Sequence, residues 1–236
     1  MKQHHAKPKR ILSLVLGLVM ILSLAGCDKG RSTHYRDYVE SLISANYLGI
    51  YNEYIKLTGT SEEDADALYL QNVSRLADNL SSYYGLEITN DDVATSLISL
   101  SKEIYAKTRF EVSPAYENNN VYYVDVTVYP MDIIRQTNDR VVEYVEEFNQ
   151  RVEKGDYDNF ERSEYETTFA SGLILILTQE TSSMTYLDPV TIKVRIITSK
   201  DSFYISNDDF RAIDAAILAT QAPEDTADPD DSGNPE

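Results

Sequence analysis

The chain has 236 residues, with Lys+Arg 21 against Asp+Glu 39, a formal net charge of −18, 42% hydrophobic and 10% aromatic residues, one Cys, three His and no Trp. A chain this apolar and this rich in tyrosine can close a core, and one this acidic repels a nucleic-acid backbone, so wholesale disorder and nucleic-acid binding are both excluded. A single Cys also rules out an internal disulfide framework and every zinc site that needs two or more thiolates.

Residues 1–10 carry four positive charges (Lys2, Lys7, Lys9, Arg10) and no acid, and an uncharged apolar run follows from Ile11 to Gly26. This is the layout of a secretory signal peptide over 1–26. The run is shorter than the roughly 20 residues that cross a bilayer, and it ends in small residues rather than a basic flank. Leu24-Ala25-Gly26-Cys27 resembles the lipobox of bacterial lipoproteins. The resemblance implies cleavage before Cys27, a diacylglyceryl group on its sulfur, and a lipid-anchored protein on the outer face of the bacterial plasma membrane. Two acyl chains give stable anchoring, because each buried methylene gives about 0.8 kcal/mol.

Removing 1–26 takes away four of the basic residues together with His4 and His5. That leaves 17 basic residues against 39 acidic ones, a net charge of −22, and His34 as the one imidazole. Ser-His-Asp triads, Cys-His dyads, HExxH zinc sites and di-iron sites all need a His or Cys that is missing. The scattered glycines write neither a dinucleotide fingerprint nor a P-loop. Asp228, Asp230, Ser232 and Gly233 begin a calcium-loop pattern, but the chain ends before its closing Glu. The reading is therefore no metal, no cofactor and no enzyme. An acid-base enzyme built from carboxylates and Tyr is the least favoured alternative.

Residues 27–33 read as a lipidated polar linker, 34–220 as one α+β domain, and 221–236, with six acids and no base, as a disordered tail. Tyr35, Tyr38, Val39, Leu42 and Ile43 fall at helical spacing, Gly49 interrupts, and Ile50, Tyr51, Tyr54 and Ile55 resume the stripe. Thr60-Ser61-Glu62-Glu63-Asp64 starts a second helix that ends at Gly85, and Thr89-Asn90-Asp91-Asp92 starts a third with Val93, Leu97, Leu100 and Ile104 inward. The pattern then alternates. Phe110, Val112 and Tyr116 are set facing Tyr122, Val124, Val126 and Val128 in a hairpin, and parity asks for an odd loop, Asn118-Asn119-Asn120. Pro130 suits the first turn of a helix running to Gly155. Phe160 to Leu177 reads as a further helix, although Leu173-Ile174-Leu175-Ile176-Leu177 also fits a buried strand. A second hairpin sets Val190, Ile192, Val194 and Ile196 against Phe203 and Ile205, with an even loop near Ser199-Lys200. Ser206-Asn207-Asp208-Asp209 starts a last helix. The sum is a two-layer α+β fold: a four-stranded, mainly antiparallel sheet of two hairpins covered by about six helices.

The segment from Ala45 to Ala65 (ANYLGIYNEYIKLTGTSEEDA), with the lipobox and the strand ending Val128-Tyr129-Pro130, resembles a group of uncharacterised Gram-positive lipoproteins. That resemblance implies a domain like that of nuclear transport factor two or cystatin, and it brings no activity or site with it.

Opposite the apolar face, the hairpins present Arg109, Glu111, Tyr123, Asp125, Thr127 and Tyr129, then Thr191, Lys193, Arg195 and Ile197. A solvated sheet face with weak cross-strand pairs explains this set. A recognition surface explains it too, since Tyr gives contact area at low entropy cost and Arg gives bidentate pairing. Arg109, Glu111, Tyr123, Asp125, Tyr129 and Arg195 are the candidates. The functional expectation is a non-catalytic binding or interaction module whose partner is a cell-envelope protein or polymer. A small-ligand carrier with a pocket between helices and sheet is the alternative.

Overall fold

The computed structural model describes residues 28–199 and 202–219. The expected signal peptide over 1–26, Cys27 and the expected disordered tail over 221–236 lie outside them. The elements run α1 (Asp28–Ile43), a π-helical turn (Ser44–Leu48), α2 (Asn52–Thr58), α3 (Glu62–Tyr84), α4 (Asp91–Tyr105), β1 (Arg109–Val112), β2 (Tyr116–Asn118), β3 (Val121–Tyr129), α5 (Ile133–Glu153), α6 (Arg162–Thr181), β4 (Val190–Ser199), β5 (Ser202–Ile205) and α7 (Asn207–Ile217). The α+β class, the two hairpins and their order among the helices are as the sequence implies.

Local chemistry sets the helix ends. Ser61, Asn90 and Ser206 each accept a hydrogen bond from the backbone N–H three residues on, with acids over the positive end of the dipole. Gly49 stops the first helical region with φ +65, its N–H bonded to the Ser44 carbonyl. Within the widened turn, the Asn46 amide donates to the Leu42 carbonyl at 2.7 Å, and Asn72 of α3 donates to the Asn46 side chain at 2.8 Å. This buried amide pair satisfies polar groups that a π turn would otherwise strand.

The sheet is antiparallel throughout, in the order β1, β3, β4, β5, with β2 sharing the β1 side of β3. The five segments thus occupy four lanes. Val124, Val126, Val128, Val194, Ile196, Phe203 and Ile205 face the core. There α1 and α7 lie against the strands, and α3, α4, α6 and α5 extend the helical layer.

Five expectations change. The segment expected as a linker is helical from Asp28, and Ser32 Oγ ties it to the Ala115 carbonyl at 2.6 Å. Ile50, expected on the apolar stripe, is exposed, because Gly49 resets the chain direction before α2. The first hairpin turns on two residues, Asn119 and Asn120, both at positive φ, and not on three. Beyond that tip, Ser113-Pro114-Ala115 oppose only Val124 and Asp125, so one extra residue restores the pairing of Phe110 with Val128 and Val112 with Val126. The same bulge moves Tyr116 to the outer face, opposite Tyr123. Finally, Pro130 precedes α5 as extended chain. Met131 there bridges Tyr186 on one side and Leu218 on the other, so α5 opens only at Ile133.

The stretch from Leu173 to Leu177, left open by its pattern, is helical, and Leu175 points out to solvent. Gly172 lets α5 and α6 approach. The Tyr144 hydroxyl passes over it to donate to the Phe169 carbonyl at 2.9 Å, and a Cβ at this position would overlap that hydroxyl.

Candidate functional site

The register gathers the predicted outer-face residues. Arg109 sits opposite Tyr129, and Glu111 opposite Thr127. Across the seam between hairpins, Thr127 meets Thr191, Asp125 meets Lys193, and Tyr123 meets Arg195. These residues are exposed or half-buried, on the side of the sheet opposite the core valines. All six candidates therefore share one open face.

Its carboxylates are already engaged by phenols. Tyr116 donates to Asp125 at 2.9 Å and Tyr129 donates to Glu111 at 2.8 Å. The bond to Glu111 raises the pKa of Tyr129. That of Tyr116 is raised by partial burial and by its bond to Asp125. The stacked rings of Tyr116 and Tyr123 carry the Lys193 ammonium at 5.8 Å and 5.6 Å from their centroids. Arg109 lies over Tyr186, 4.8 Å from its centroid, and the Tyr186 hydroxyl is fixed on the Lys107 carbonyl at 2.7 Å. β5 ends beside Ile196, so the next free backbone N–H, that of Arg195, is capped by Asp209 of α7 at 3.2 Å.

On the helices, Arg36, Arg75, Arg135, Arg140, Arg151 and Arg162 sit in ion pairs. Among the described residues, no ion pair involves Arg109, Lys193 or Arg195 of the sheet.

At one corner of the face the two hairpins part. β3 has its last β4 partner at Tyr122, opposite Ile196, and turns away at Asn120, while β4 runs on to Ser199 with β5 alone. The gap is a cleft of about 490 Å³, floored on the core side by Arg31 and Tyr35 of α1. Tyr35 and Tyr122 pack ring to ring at 5.1 Å. Burial raises the Tyr35 hydroxyl pKa, Tyr122 adds to the shift, and the neighbouring Arg31 pulls it back. Arg31 Nε is itself buried with no hydrogen-bond partner.

Sequence reasoning found the face but missed Tyr116, Arg31 and Tyr35 as members of the site. The signal for Tyr116 was present in Ser113-Pro114, since a proline inside a strand marks a bulge. Periodicity gives no signal for the cleft, because it does not say where two hairpin tips diverge. Among the described residues, no group of three or more His, Cys, Asp or Glu side chains is placed to hold a metal ion.

No protein-family model matches the sequence, and none of the curated proteins matches it. Among solved structures, the chain is similar to a Bacillus subtilis (subsp. subtilis strain 168) protein described as a candidate lipoprotein, ycdA, with a TM-score of 0.54 and 17% identity. The match covers 80% of this chain and 58% of that one, so this chain spans less than two thirds of that length. At this identity the likeness speaks for the fold. No helix among the described residues is long and apolar enough to cross a membrane.

Proposed function

We propose that the protein is a lipid-anchored extracytoplasmic module, held by a diacylglyceryl group on Cys27, which binds a cell-envelope protein or polymer through the open face of its sheet and catalyses no reaction. In this reading residues 1–26 are the cleaved signal peptide, 34–220 form the binding domain and 221–236 a disordered tail. The observation that carries it is the open face itself. Tyr116, Tyr123 and Tyr129 supply contact area, and Arg109, Lys193 and Arg195 supply charge with no ion-pair partner among the described residues. Rings with two rotatable bonds and guanidiniums that need no releasing from a salt bridge lose little on docking. The acids of the face accept hydrogen bonds from its own phenols, so Tyr116 with Asp125 and Tyr129 with Glu111 are already held in place as contact surface. Envelope location draws support from the lipobox pattern and from the fold shared with a candidate lipoprotein.

The test is site-specific photocrosslinking in cells that make the full, lipid-processed chain. A photoreactive residue at Tyr123 or Tyr129 is expected to give discrete adducts of higher mass, and one at Leu175, exposed on α6, is not. Adducts from Leu175 alone, or none from the sheet, would refute the sheet as the binding face.

A further inference from the structure

We propose that the cleft between the two hairpin tips is a site for a phosphate group, gripped by the guanidinium forks of Arg31 from α1 and Arg195 from β4. The inference adds a ligand class to the binding module and shares only Arg195 with the open face. Two cations line the cleft, and no described residue that lines it is acidic. Among the described residues neither arginine is in an ion pair, and Arg31 keeps a buried Nε–H with no acceptor. A buried unsatisfied donor on a cation is costly, and an incoming oxyanion would satisfy it.

Geometry favours phosphate over carboxylate. A carboxylate is filled by one guanidinium fork, whereas the cleft is lined by two arginines from different elements, with Asn120 and Thr198 also in its lining. A tetrahedral group with three or four acceptor oxygens can use donors that converge from several directions. The β4 backbone from Ile197 to Ser199 has no strand partner on the β3 side, which leaves the cleft open to the ligand. The packed rings of Tyr35 and Tyr122 form a low-dielectric wall that strengthens the attraction. Arg31 follows Cys27 by four residues, so an anchored protein would hold this cleft close to the bilayer. Both a phospholipid headgroup and the phosphate of a soluble or polymeric ester are then within reach.

The test is calorimetric titration of the full, lipid-processed chain in a neutral detergent, with inorganic phosphate, glycerol 3-phosphate and dihexanoyl-phosphatidylglycerol as probes. At least one phosphate probe is expected to bind, and Arg31→Ala and Arg195→Ala should each weaken it by about tenfold or more. Arg31→Lys and Arg195→Lys keep the charge but lose the fork, and should restore the affinity only in part, with circular dichroism confirming the fold of each variant. Arg162→Ala, exposed on α6 and outside both the cleft and the open face, should leave the titration unchanged. Tighter binding of the phosphatidylglycerol supports a headgroup source, and tighter binding of glycerol phosphate supports a soluble or polymeric one. Silence from every probe, equal binding of acetate, or an equal loss with Arg162→Ala would overturn the phosphate site. Adducts from Tyr129 in the crosslinking experiment would still stand in that case, because Tyr129 lies at the far end of β3 from the cleft.

Discussion

Tyr47 shows how much one hydroxyl can hold together. Its phenol donates to Asp214 of α7 at 2.8 Å, and Arg75 of α3 reaches the same carboxylate oxygen at 2.7 Å. The ring meets Tyr105 of α4 edge-on and stacks on Phe210 of α7. Asp214→Ala would strand a buried phenol, so a loss of about 1–3 kcal/mol is expected in chemical denaturation. The Arg75 pair, partly exposed, contributes at most about 1 kcal/mol, and Arg75→Ala should cost clearly less. Parity of the two losses would place the energy in the ion pair instead. Burial also raises the pKa of this phenol well above its usual value, and pushes Tyr54, Tyr105 and Tyr144 up to about 12. A phenol with a folded pKa above its unfolded value near 10 favours the fold while it stays protonated. That stability is complete below the unfolded value and is lost as pH climbs from there through about 12. The tyrosinate absorbance of these buried rings is thus expected to appear together with the loss of helical circular dichroism. A smooth rise in which the helix signal persists would contradict this. Gly172 is a third lever: Gly172→Ala pushes into the Tyr144 hydroxyl, and overpacking of this kind costs about 1–3 kcal/mol. Tyr144→Phe should recover part of that loss in the double variant, and strictly additive effects would show that the two residues do not meet.

At the scale of elements, the first hairpin separates what a sequence states from what it leaves to the backbone. The alternation of Val124, Val126 and Val128 is plain, and their shared face follows from it. The parity rule correctly asks for an extra residue between the strands but cannot say where it sits. Three asparagines resemble a three-residue turn, yet two of them suffice, and Ser113-Pro114-Ala115 take up the difference. Ser113 makes the bulge tolerable: its N–H bonds to the Asp125 carbonyl at 2.9 Å, and its hydroxyl accepts from the Asp125 N–H at 2.9 Å. Since Asn119 and Asn120 are both left-handed, a β-branched residue at either should cost about 1–2 kcal/mol, whereas Asn120→Gly should be neutral or stabilising. Urea midpoints of Asn119→Val, Asn120→Val and Asn120→Gly decide it, and an unaffected valine variant would mean the turn conformation is wrong. Helix starts were legible for the same reason that the turn was not. A capping Ser or Asn acts within three residues, while Pro130 is governed by Met131, whose backbone partners come from Ile217, Leu218 and Tyr186 far along the chain.

For the molecule as a whole, the charge map and the proposed anchor make a joint claim. Cys27→Ser should release the protein from the membrane fraction into the medium or periplasm, and unchanged membrane retention would refute attachment through this residue. Arg109, Lys193 and Arg195 lie outside the ion pairs found among the described residues, so a partner approaching the sheet meets cations that no salt bridge holds back. The lane order of the sheet carries a consequence of another kind. β3 and β4 form its central pair, yet α5 and α6 lie between them in the chain. Each hairpin can zip locally, and α5 can fold back on α6, but the seam joining the halves must wait for a long loop to close. Doubling the length of such a loop costs only about 0.6 kcal/mol, so the delay is one of search and not of stability. Until that seam forms, the facing edges of β3 and β4 are both open, and the newly made chain is at its most vulnerable to proteases and to pairing with its neighbours.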